Sequence, residues 1–72
     1  MDDYEVQFCD SRGRTLSTEG ATDMYDALEI VTLHESWVGV SFAIIWCDGE
    51  AVQTFGSHDE AMESMLTAVG RA

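Results

Sequence analysis

The dipeptide Asp48-Gly49 constrains this chain more than any other pair of residues in it. Asp-Gly between two extended runs signals a two-residue type I′ hairpin, whose central positions both need positive φ. The run before it, Val38 to Cys47, is rich in β-branched and aromatic residues, and Glu50 to Phe55 reads as the return strand. An isolated hairpin is marginal in water, so other elements must cover it.

The remaining residues supply those elements. Tyr4 to Asp10 alternates as a half-buried strand, with Tyr4, Val6 and Phe8 on one side and Glu5, Gln7 and Cys9 on the other. Ser11-Arg12-Gly13 is a turn signal. Arg14 to Glu19 reads as a more polar strand with Leu16 inward, broken at Gly20. A helix capped by Thr22 or Asp23 extends to about Glu35, with Met24, Ala27, Leu28 and Val31 as its apolar stripe. Ser57 and Glu60 form a capping box. Ala61, Met62, Met65, Leu66 and Val69 then make a second stripe, which stops at Gly70.

The order ββαββα predicts an α+β fold in one domain over residues 1–72: a four-stranded antiparallel sheet with both helices packed on one face. On strict alternation the covered face holds Tyr4, Val6, Phe8, Leu16, Val38, Val40, Phe42, Ile44, Trp46 and Val52. The open face holds Glu5, Gln7, Cys9, Thr15, Ser17, Glu19, Ser41, Ala43, Ile45 and Phe55. Phe8-Cys9-Asp10 aligns with Trp46-Cys47-Asp48, and Asp26-Ala27-Leu28 with Glu60-Ala61-Met62. That is the pattern of an internal ββα repeat, although any two hairpin–helix units would align comparably.

Charge sets this chain apart. Fourteen Asp and Glu face three cations, Arg12, Arg14 and Arg71, for a formal net charge of -11. Solubility needs only about 2–8 charges on a small domain, and the excess costs stability through self-repulsion. Such a surface repels phosphate backbones and anionic membranes, so direct nucleic-acid or membrane binding is not expected, and a basic protein surface is the natural complement. The acidic start, Met1-Asp2-Asp3-Tyr4-Glu5, is unlike a signal peptide, and the apolar run Phe42 to Cys47 is too short to span a membrane. A cytoplasmic protein is expected, in the host cytoplasm if phage-encoded.

No catalytic residue, cofactor site or metal site is expected. Cys9, His34, Cys47 and His58 lack the short paired spacings of a zinc site. Free thiols are the simpler reading of the two cysteines, although matching places in the two halves would allow them to lie close. There is no nucleophile elbow or phosphate loop, and His58 reads as a solvated first-turn residue. His34, near a helix end, suits the helix dipole.

The expected partner-binding residues lie on the helices. Asp23, Asp26 and Glu29 recur along one, and Asp59, Glu60 and Glu63 along the other. Neighbours at i,i+3 or i,i+4 lie about 5–6 Å apart at Cβ, so an uncompensated row of them can imitate phosphates. Ile30, Leu33 and Trp37 flank the first row, either as an exposed patch with an aromatic anchor or with Trp37 folded back into the core. Arg12 and Arg14 either pair with Asp10 and Glu19 or form a contact site of their own.

In size, charge and lack of catalytic motifs the chain resembles small acidic phage proteins that block CRISPR effectors, restriction enzymes or other DNA-binding machines. That resemblance implies a non-enzymatic, nucleic-acid-mimicking inhibitor. The alternative is a salt-adapted structural or adaptor domain. A homodimer, formed through an edge strand or through Ala43, Ile45 and Phe55 on the open face, is compatible with either.

Overall fold

A computed structural model describes the backbone of residues 3–70 and the side chains of residues 3–67 other than His34. Strand β1 spans Tyr4–Cys9 and β2 Thr15–Ala21; helix α1 spans Met24–Thr32, followed by a 3-10 turn at His34–Trp37. Strands β3 (Phe42–Cys47) and β4 (Glu50–Phe55) and helix α2 (His58–Gly70) complete the chain. The strands form one antiparallel sheet in the order β2-β1-β3-β4. The α+β class and the ββαββα order expected from the sequence are those of the structure.

The second hairpin closes as Asp48-Gly49 requires, with φ of 52° and 82° at the two residues. β4 begins and ends where the sequence places it. Gly20 does not break β2; it pairs with Glu5. α1 ends at Thr32 rather than near Glu35, because Leu33 turns to an extended conformation (ψ 113°). β3 starts at Phe42 rather than Val38: Gly39 takes a φ of 76°, and Val38, 79% exposed, lies in the turn before the strand.

The facing of the sheet differs from strict alternation. β1 pairs with β3 so that Val6 lies opposite Ile45 and Phe8 opposite Ala43, while Glu5 faces Trp46 and Gln7 faces Ile44. Residues paired across a ladder share a face. Ala43, Ile45 and Phe55 are therefore in the core with Val6, Phe8, Ala27, Leu28, Val31 and Ala61. Phe42, Ile44 and Trp46 turn to the open side, and Leu16 and Val52, expected on the covered face, are exposed. The physical reason is volume. Ala43 stands between Phe8 on β1 and Phe55 on β4, so one small residue leaves room for two rings beneath the helices. Taking the bulkier set of β3 as inward inverts the strand, because a one-residue slip exchanges every side chain. Ala43, Ile45 and Phe55 are consequently unavailable as dimer contacts.

Each hairpin carries a bulge beside its turn. One lies at Phe8/Cys9, with Leu16 as the extra residue of β2; the other lies at Ile45/Trp46, with Val52 as the extra residue of β4. These bulges equate Phe8 with Ile45 rather than with Trp46, so the strand alignment read from the sequence is off by one residue. The helix alignment holds better: Ala27 and Ala61 are both fully buried. α2 covers the core with Ala61 and part of Met65, whereas Met62 and Leu66 of its expected stripe are exposed. The side chain of Val69, the helix stop after Gly70, and Arg71 lie outside the described residues.

Ile45→Ala should lower stability by about 2–5 kcal/mol through cavity formation. Ile44→Ala, one residue away on the open face, should cost about 1 kcal/mol. Urea unfolding of the two variants reads the difference directly, and equal losses would contradict the observed facing.

Candidate functional site

Three of the six helix carboxylates have structural duties. Asp23 is the N-cap of α1, and its side chain accepts from the Asp26 N–H at 2.8 Å. Asp26 reaches back in turn, its Oδ2 accepting from the Thr22 N–H at 3.0 Å. At α2, Ser57 Oγ accepts from the Glu60 N–H at 3.2 Å, and Glu60 Oε2 accepts from the Gly56 N–H at 2.8 Å. Both helices thus use one device: the acid three residues after the cap holds the N–H of the residue before it. Of the capping box read at Ser57 and Glu60 the Ser57 half is present, while Glu60 reaches one residue further back than the box requires, and Asp23 and Asp26 repeat the arrangement. The carboxylates of Glu29, Asp59 and Glu63 are exposed and have no hydrogen bond or ion pair among the described residues.

The apolar flank divides. Ile30 and Trp37 pack partly buried against the core, whereas Leu33 is 45% exposed. Trp37 folds back: its Nε1–H donates to the Val31 carbonyl at 2.7 Å, and its ring meets Phe8 edge-on at 6.0 Å. His58 joins from α2, its Nε2–H donating to the Thr32 carbonyl at 2.7 Å and its ring lying 6.4 Å from that of Trp37. The last carbonyls of a helix lack intrahelical partners, and here an indole and an imidazole satisfy two of them. Trp37 is therefore a core residue, and His58 is a clamp between the helices rather than a solvated first-turn residue.

Asp10 organises the first hairpin loop. Its Oδ1 accepts from the N–H groups of Arg12 and Arg14, both at 2.9 Å, and its Oδ2 takes Arg14 Nε at 2.9 Å. These contacts, led by the Arg14 backbone N–H, hold the Asp10 carboxyl below its ordinary value of 3.8, against a smaller opposing effect of desolvation. Arg14–Asp10 is the one ion pair among the described residues; neither arginine side chain pairs with Glu19.

The cysteines do not meet. Cys9 lies opposite Phe42 and Cys47 opposite Tyr4, at the two ends of the β1–β3 ladder and on different faces, and both thiols are free. Among the described residues no group of three or more His, Cys, Asp or Glu could hold a metal ion, and no helix is long and apolar enough to cross a membrane. The His34 side chain lies outside the described residues.

Two clefts adjoin carboxylates. One, of about 310 Å³, runs between β4 and α2 and includes Glu60 and Glu63 beside Gln53 and Ser64, which are hydrogen-bonded at 2.8 Å. The other, of about 520 Å³, opens at one end of the sheet and is lined by Asp3, Tyr4, Glu5, Gly20, Trp46 and Gly49. Sequence reasoning passed over this second cleft because it placed Trp46 inward. No signal in the sequence pairs Trp46 with Glu5, because both sides of β3 are apolar. Comparison with protein families, curated proteins and solved structures finds no match to this chain.

Asp23→Ala and Glu60→Ala should each lower stability by about 0.5–2 kcal/mol as caps are lost, while Glu29→Gln, Asp59→Asn and Glu63→Gln should stay within about 0.5 kcal/mol of the parent in urea unfolding. Asp10 gives a pH test. A lowered folded-state pKa means that its contribution is complete above the unfolded value and is lost as pH falls through the folded one. In an NMR titration Asp10 should titrate below 3.8, and the Arg12 and Arg14 amide protons should move with the same midpoint. Amides that stay still through that midpoint would dissociate the carboxylate from the loop.

Proposed function

We propose that this chain is a non-enzymatic, acidic binding protein that occupies the basic, nucleic-acid-binding surface of a partner protein, as phage-type inhibitors that mimic nucleic acid do. The observation that carries the proposal is uncompensated charge: a formal net charge of -11, with one ion pair among the described residues. An ordinary solvated helix face interleaves lysines with its acids, and this chain has no lysine.

Local structure supports the reading in a second way. Asp23, Asp26 and Glu60 are held by backbone N–H groups and lose rotamer freedom. Fixed charges need less ordering on association, which favours affinity. Glu29, Asp59 and Glu63 add exposed carboxylates without structural duties. Leu33 is exposed on the same helix end that Ile30 and Trp37 pack against the core. Electrostatic complementarity of this kind acts mainly on association rate and partner choice.

The salt-adapted alternative rests on the same lack of counter-charge, and stability against salt separates the two. An inhibitor stays folded at low ionic strength; a salt-adapted domain melts there.

The decisive experiment immobilises the domain and applies basic nucleic-acid-binding proteins from a cell extract, preselected on a DNA column. The expected outcome is saturable retention at low salt, released by added salt and by competing duplex DNA. The triple variant Glu29→Gln, Asp59→Asn, Glu63→Gln should fold normally and bind roughly tenfold or more weakly. Retention indifferent to both salt and DNA would refute the proposal.

A further inference from the structure

The open sheet face differs from the rest of the molecule. By register it carries Phe42, Ile44 and Trp46 of β3 together with Cys9, Gln7 and Glu5 of β1. Among the described strand residues, Glu5 is the one charged side chain on this side: Glu19 pairs with Val6 and Glu50 with Cys47, which places both on the helix side. A chain so rich in carboxylates has thus left one surface nearly uncharged and has put acid at one end of it.

That end is the cleft of about 520 Å³. Trp46 is held there. Its Nε1–H donates to Gln7 Oε1 at 2.9 Å, and Gln7 Nε2 donates to Thr15 Oγ1 at 2.6 Å, a relay that crosses β3, β1 and β2. Trp46, Glu5 and Gly20 form one cross-strand row, so the indole, a carboxylate and a position with no side chain adjoin each other. No atom comes within 4 Å of a Cβ built on Gly20, so the row is open above it. Asp3 brings the second carboxylate and is tied by its backbone: its N–H donates to Asp48 Oδ1 at 3.2 Å, and its carbonyl accepts from the Asp48 N–H at 3.0 Å.

An aromatic face flanked by carboxylates in a cleft is the chemistry of cation recognition. The ring quadrupole and the anions attract the same charge, and an indole is the strongest aromatic partner. A planar guanidinium can stack on the indole and hydrogen-bond a carboxylate at once. The apolar row beyond the cleft, Ile44 and Phe42, suits the aliphatic stem or a neighbouring apolar side chain of the same segment.

We propose that this cleft seats an arginine side chain of a protein partner, with the flanking apolar residues of that partner lying along the open sheet face. The proposal rests on the partner being basic, as above, and assigns it a second contact on the opposite side of the sheet from the helix carboxylates.

The test is an NMR titration of the full chain with N-acetyl-arginine amide, and with N-acetyl-citrulline amide as the uncharged isostere. At millimolar concentrations the arginine compound should shift the Trp46 indole N–H and the Glu5 and Gly20 amides, and the citrulline compound should not. Glu5→Gln and Asp3→Asn should each weaken binding about two- to fivefold. The triple helix variant Glu29→Gln, Asp59→Asn, Glu63→Gln should bind the compound as the parent does, which separates this cleft from the helix surface. Equal shifts with both compounds, shifts spread over the helices, or no shift at Trp46 would each overturn the arginine site, while leaving salt-dependent retention of a basic partner to stand or fall on its own.

Discussion

The pairing of β1 with β3 is the constraint on which the rest of this structure depends. These are the two central strands, and each belongs to a different half of the chain. Their register, with Val6 against Ile45 and Phe8 against Ala43, decides which side chains meet the helices. Val6, Ala43 and Ile45 are fully shielded from solvent as a result. In a domain this small no second core could compensate for a slip. The outer strands contribute less: every residue of β2 but the last is exposed.

Much of the element order was legible in the sequence because local chemistry specifies it. Asp48-Gly49 names its turn, Ser57 and Glu60 name a helix start, and the stripe Ala27, Leu28 and Val31 names a buried helix face. The facing of β3 was not legible. Both of its sides are apolar, Phe42, Ile44 and Trp46 on one and Ala43 and Ile45 on the other, so alternation alone cannot choose between them. Size misleads here, because the correct inward residue opposite Phe8 is the smallest available. The end of α1 was equally hidden. No glycine or proline marks the stop at Thr32; Leu33 turns extended there, and Trp37 folds back to cap the Val31 carbonyl.

The candidate site was legible in part, for a related reason. A carboxylate at a helix start reads the same whether it caps a backbone N–H or awaits a partner, and here Asp23, Asp26 and Glu60 do the first. Capping a backbone N–H and contacting a partner are not mutually exclusive roles for a carboxylate. Of the two readings open for Trp37, the structure takes the one in which it folds back. Trp37 is tied to the core, whereas Trp46 lies against the cleft at the sheet's end.

The paired bulges have a consequence for how this molecule meets others. Each lies on an outermost strand, beside a turn, at Leu16 and at Val52. An extra residue twists the strand locally and puts its N–H and C=O groups out of step with any incoming β-segment. Neither rim contains proline or lysine, so the bulges act with Glu19 on β2 and Glu50 on β4 to discourage lateral growth into ribbons or fibrils. Contact through the largely uncharged apolar sheet surface is thereby confined to a broadside approach.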